Sequence, residues 1–137
     1  MPPGHRTRLL AALAAILTVA AGLTVRATAG GWFGASAGDA LYTVLVYALI
    51  VFVRPRIIPV RAASGALALS WAVELAQLTP VPAALSEVSV VARLVLGSTF
   101  GVADLVAYAA GAVLAWAAHT LFGRGRRHRP ERAGVPS

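Results

Sequence analysis

The chain has 137 residues, 58% of them apolar and 12% charged, with a mean hydropathy of +0.76; this balance excludes an ordinary water-soluble domain and points to a membrane protein. It contains no cysteine, which excludes disulfides, thiolate catalysis and cysteine metal sites and leaves the redox compartment open. The net charge of +7 comes from arginine alone, and because those arginines flank apolar runs they read as juxtamembrane anchors and argue against nucleic-acid binding.

In chain order, Arg6 and Arg8 precede a first apolar stretch at residues 9–25. Ala27-Thr28-Ala29 before Gly30 resembles a signal-peptide cleavage site, but the run is long for a secretory signal and is taken as a span, with cleavage as the alternative. Further apolar stretches follow at 38–53, 62–79 and 98–122, each near the ~20 residues needed to cross a bilayer. Between the last two, Thr79-Pro80-Val81-Pro82 stops a helix, and a segment with Ser86, Glu87, Ser89 and Arg93 reads as a short interfacial or re-entrant piece. The expected fold is therefore an all-α integral membrane bundle of four transmembrane helices with a short interfacial segment before the last. Residues 1–122 form that domain, and 123–137 form a basic disordered cytoplasmic tail that touches anionic lipid headgroups.

Orientation follows from the arginines. Ten fall before span one, between spans two and three, or after span four, and only Arg26 and Arg93 fall on the opposite side. The positive-inside rule then puts both termini in the cytoplasm; the expected location is a plasma (inner) membrane.

Three of the five acidic residues, Asp39, Glu74 and Asp104, lie at the edge of or inside apolar stretches, where a carboxylate costs ~2.5 to 3.5 kcal/mol at the centre of a span. Counting from the cytoplasmic arginines at ~1.5 Å per residue places them about 22, 20 and 30 Å from the inner boundary, in the outer half. Helical spacing gives each span a polar stripe: Asp39, Tyr42 or Thr43, and Tyr47; then Ser70, Glu74 and Gln77; then Gly97, Gly101, Asp104, Tyr108, Gly111 and Ala115. Lipid does not solvate such groups, so the stripes are expected to converge with Arg93 as a cluster of Asp39, Tyr42, Glu74, Gln77, Arg93, Asp104 and Tyr108. Gly97, Gly101 and Gly111 are candidate helix-packing residues. Exposed as a stripe they would indicate a membrane-protein partner; covered by span three they would not. Asp39 has a competing role, since Ser36-x-x-Asp39 has capping-box spacing at the start of span two.

These residues also carry a family likeness. Gly38-Asp39-x-Leu41-Tyr42-Thr43-x-Leu45-x-Tyr47, Glu74-Leu75-x-Gln77, and Arg93-Leu94-x-x-Gly97-x-x-Phe100-x-x-x-Asp104-Leu105-x-x-Tyr108-x-x-Gly111 together resemble the small bacterial membrane proteins catalogued as domain of unknown function 2809. The likeness covers about residues 32–116. More distantly, Glu74, Gln77, Arg93 and Asp104 resemble the polar set of VanZ-like proteins, with Tyr108 where that pattern has Asn. The nearer family implies no activity.

Three functional readings stand side by side. An outward-facing site of carboxylates plus Arg93 suits an envelope lipid headgroup or peptide, with Arg93 taking an anion and Glu74 and Asp104 taking amine or hydroxyl donors. A structural ion-pair network fixing helix packing, in a partner-binding membrane protein or alone, is the first alternative. A membrane-embedded acid/base enzyme is the second, and it is disfavoured: His5 and His128 lie in cytoplasmic segments and His119 near the inner end of span four, and no seryl or metal-hydrolase motif occurs. His119 has no spaced second ligand and reads as a satisfied helix-end residue. No cofactor, metal or catalytic residue is assigned.

Overall fold

The computed structural model describes residues 2–97 and 99–127, and the described residues form helices and connections without a strand. The helices are α1 (Pro3–Thr28), α2 (Gly31–Val53), α3 (Pro59–Ala76), α4 (Val81–Val88), α5 (Val90–Leu96) and α6 (Val102–Arg127). Proline sits in the first turn of α1, α3 and α4, where its missing N–H costs nothing. Gly31, at φ +69, lets the chain reverse between α1 and α2.

α1, α2 and α6 are long and apolar enough to cross a membrane. The expected third span is not among them: α3 has 18 residues and ends at Ala76, and Arg61, Ser64, Ser70 and Glu74 dilute its apolar character. It nevertheless packs against both α2 and α6. Its inward seam is Ala62, Ala66, Ser70 and Glu74, at steps of four residues, each buried almost completely. Leu69, Trp71 and Leu75 point outward.

α6 repeats this inverted pattern. Ala107, Tyr108, Gly111, Ala112 and Ala115 are buried, while Val106, Val113, Leu114 and Leu121 are exposed. Small residues inside let backbones approach, and large apolar ones outside suit contact with acyl chains. The closest approach is at Gly111, where an added Cβ would run into the backbone of Ala40 in α2. The glycine stripe expected on one helix face is thereby corrected. α6 begins at Val102, so Gly97 and Gly101 belong to the connection before it, and Gly111 is buried against α2, not α3.

Side-chain links fix the register. Thr43 Oγ1 donates to Ser70 Oγ at 2.9 Å, with both residues fully buried between α2 and α3. Trp71 Nε1 donates to the Leu105 carbonyl at 3.1 Å, joining α3 to α6. In α1 the hydroxyls of Thr18, Thr24 and Thr28 each donate to the carbonyl four residues back, so this helix satisfies them alone. α1 makes its main contact with α2.

Two ends result. At one, Gly4 lies near Pro55 and Tyr47 meets both His119 and the Pro59 carbonyl; Arg6, Arg8, Arg54, Arg56, Arg61 and Arg124 belong to elements that meet there. At the other, the end of α3 meets the start of α6 and the α4–α5 hairpin. The segment expected to be interfacial forms this hairpin, two short helices meeting at Ser89, whose side chain accepts from the Ala92 N–H at 3.2 Å. The tail expected from residue 123 begins as helix, since α6 continues to Arg127; the rest of that segment lies outside the described residues.

Gly111→Ala is expected to lower the thermal unfolding midpoint in detergent, by the equivalent of about 1–3 kcal/mol, because its methyl has no room against α2. Gly123→Ala, whose methyl meets open space, leaves the midpoint unchanged or slightly raised.

Candidate functional site

Glu74 is the centre of the second end. It is 1% exposed, and its two carboxylate oxygens have separate donors. Oε1 accepts the backbone N–H of Gly101 at 2.6 Å, and Oε2 accepts the Tyr108 hydroxyl at 3.0 Å. A carboxylate from α3 thus satisfies an amide at the threshold of α6, where helix N–H groups lack intrahelical acceptors and the helix dipole favours negative charge. The cost of burying it is offset by charge-assisted hydrogen bonds to two donors that would otherwise be stranded.

Asp104 lies in the first turn of α6 and folds back over Gly101; a Cβ on that glycine would lie 2.5 Å from its Oδ2. Its position is closer to the helix start than a helix beginning at residue 98 implies. Asp39 is the reverse case. α2 starts at Gly31, two turns earlier than the apolar run suggests, so Asp39 is inside the helix and the capping expectation with Ser36 does not hold. Asp39 adjoins Asp104 and Tyr108 across the α2–α6 interface. Tyr108 also packs against Tyr42, with ring centroids 6.1 Å apart.

Gln77 closes α3. Its Nε2 donates to the Leu96 carbonyl at 2.5 Å, and Gly97, at φ +65, lacks the Cβ that would collide with it. The Gln77 Oε1 atom is buried without a donor among the described residues. Among the described residues Arg93 makes no ion pair or hydrogen bond with a carboxylate. Its Nε and Nη2 both donate to the Ser86 carbonyl, at 3.2 and 3.0 Å, while Ser86 Oγ donates to the carbonyls of Pro82 and Gly97. The guanidinium therefore ties α5 to the end of α4.

All seven residues of the expected polar cluster line one cavity of about 780 Å³: Asp39, Tyr42, Glu74 and Gln77 on α2 and α3, and Arg93, Asp104 and Tyr108 on α5 and α6. Arg26, from the last turn of α1, lines it too. Sequence reasoning puts Arg26 on this side but omits it from the cluster; its place as one of only two arginines away from the basic end was the available signal. Tyr47, from the same sequence stripe as Asp39, goes to the other end and lies 2.7 Å from His119 Nδ1, which gives that histidine a partner.

An all-helical bundle with three membrane-length apolar helices, a lipid-suited exterior and polar side chains turned inward fits a multi-pass membrane protein. The family described as Protein of unknown function (DUF2809) matches residues 28–112, and the chain belongs to that family. No curated protein and no solved structure matches the chain.

Glu74→Leu is expected to strand two donors and to destabilise by about 1–3 kcal/mol for each. Glu74→Gln keeps one acceptor and one reversible partner for Tyr108 and costs less. In a double-mutant cycle followed by thermal unfolding in detergent, Tyr108→Phe loses most of its effect once Glu74 is Leu.

Proposed function

We propose that the protein is a four-span membrane protein of the bacterial plasma membrane, with both termini cytoplasmic, whose outward-facing polar cavity binds the polar part of a small envelope molecule, a lipid headgroup or a peptide terminus. The observation that carries this reading is the joint lining of one cavity by three carboxylates and two arginines, at the end away from the basic flanks. Charged groups grouped at membrane depth around open space suit ligand recognition better than packing alone.

α3 is taken as the fourth span. Its 18 residues extend about 27 Å, close to the ~30 Å hydrocarbon core; Leu69, Trp71 and Leu75 face outward while Ser70 and Glu74 point into the bundle, and the exposed Arg61 and Ser64 lie toward its basic end. The gathering of Arg6, Arg8, Arg54, Arg56, Arg61 and Arg124 toward one end supports the orientation. The arginines that follow would hold anionic headgroups on the same side. The order of Glu74, Gln77, Arg93 and Asp104 supports a distant relation to VanZ-like proteins. A structural role is the better reading for Glu74 itself, since protein donors occupy both its oxygens.

The chain has no native cysteine, so single cysteines report topology directly. Gly38 lines the cavity and Gly123 lies near the end of α6, and at both an added Cβ meets nothing within 4 Å. In intact cells, Gly38→Cys is expected to react with a membrane-impermeant maleimide and Gly123→Cys only after permeabilisation. The opposite pattern, or a Gly38→Cys that never reacts, overturns the outward-facing cavity.

A further inference from the structure

α4 and α5 pack chiefly on each other, and most apolar residues of their hairpin are turned outward. On α4, Pro82 and Ser86 form the buried face, whereas Val81, Leu85 and Val88, at steps of four and three residues, form an exposed apolar stripe; Glu87 lies on neither. Each of the seven residues of α5 is at least partly exposed, and Val90, Val91, Leu94 and Val95 are largely so. At the tip, Val88, Val90 and Val91 are 82%, 65% and 70% exposed. Neighbouring apolar side chains this open mark an interaction surface.

The hydrogen bonds of the hairpin say what covers it. Short helices in water leave the polar groups of their ends to solvent. Here side chains take them: the Arg93 guanidinium donates to the Ser86 carbonyl, Ser86 Oγ to the Gly97 carbonyl, and Gln77 Nε2 to the Leu96 carbonyl, while Ser89 Oγ accepts the Ala92 N–H. Internal closure of this kind suits surroundings that supply no water.

Placement in the fold points to the same surroundings. The connection at 97–101 joins the hairpin to α6, which is long and apolar enough to cross a membrane, and the hydrogen bond from Gln77 holds its base to the end of α3. The hairpin is thus kept beside the head of a lipid-facing helix. Trp32 and Phe33, in the first turn of α2, are exposed at the same end, where the adjacent Gly34 and Ala35 line the cavity with Leu94 and Val95. Exposed aromatic side chains at a helix head are typical of the membrane–water boundary. At about 10 Å, α5 is too short to cross and long enough to lie within one leaflet.

Resting on the reading of the bundle as membrane-spanning, and not on which side the cavity faces, we propose that the α4–α5 hairpin is seated in the leaflet at the cavity end. Val88, Val90 and Val91 lie among the upper acyl chains and Glu87 lies toward the headgroups. Because Leu94 and Val95 of the same hairpin line the cavity, the lipid that holds α5 also borders the cavity's side.

The chain has no native cysteine, so the test uses the full chain in lipid nanodiscs with an environment-sensitive fluorophore on a single cysteine at Val91, Glu87 or the exposed Leu114 in the middle of α6. The quenchers are aqueous iodide and phosphatidylcholine carrying a nitroxide near either end of its acyl chain. At Val91→Cys, the nitroxide near the glycerol is expected to remove most of the emission, the one near the chain methyl less, and iodide little. At Glu87→Cys iodide is the stronger quencher, and at Leu114→Cys the deep nitroxide is. Strong iodide quenching at Val91, with Leu114 quenched from deep in the bilayer, overturns the proposal and leaves the spanning bundle standing. Shielding of Val91 from all three quenchers, with Leu114 as expected, assigns the patch to a protein partner or a second copy and also overturns it. Failure of the deep nitroxide at Leu114 overturns the spanning reading itself.

Discussion

Everything at the cavity end depends on the hydrogen bonds that the Glu74 carboxylate accepts from Gly101 and Tyr108. Without them the amide at the threshold of α6 and the buried Tyr108 hydroxyl would lose their acceptor. With them α3 is joined to α6 at the level where Asp104 turns back over Gly101. The remaining polar groups are arranged around that joint. Tyr108 holds Tyr42 through ring contact, and Gln77, one turn beyond Glu74, anchors the carbonyl end of α5.

Packing in the rest of the bundle follows from the solvent being lipid on the outside. Interior positions do not gain from being larger or more apolar than acyl chains, so close contact of small residues and a few internal hydrogen bonds decide the helix neighbours. The Ala62, Ala66, Ser70 and Glu74 seam passes from pure contact to hydrogen bonding along one helix face. Gly111 against Ala40 makes the corresponding approach between α6 and α2. In the second half of α3 the polar residues Ser70 and Glu74 are buried and Leu69, Trp71 and Leu75 are exposed, whereas nearer its start Arg61 and Ser64 are exposed.

The periodic parts of the site were legible in the sequence. Glu74 and Gln77 share a face because helical spacing requires it, and the spacing of Asp104 and Tyr108 holds because both lie within α6. What depended on the ends of elements was less legible. Apolar runs mark where lipid begins, whereas helices continue past that boundary, so α2 reaches back to Gly31 and Asp39 becomes an interior residue. Conversely, Gly97 and Gly101 looked continuous with α6 because a turn residue can share its spacing by coincidence. The partner of Arg93 was hidden for another reason: a free backbone carbonyl at the end of α4 leaves no mark in composition, and charge alone suggested a carboxylate.

The joint at Glu74 also bears on biogenesis. Its acceptor precedes the Gly101 donor by 27 residues, so during vectorial synthesis the carboxylate leaves the ribosome before the amide that needs it. The last helix thus meets a ready-made acceptor as it enters the bundle. A circular permutant that places α6 ahead of α3 would reverse this order, leaving the head of α6 to wait in the bilayer with its amide unmatched.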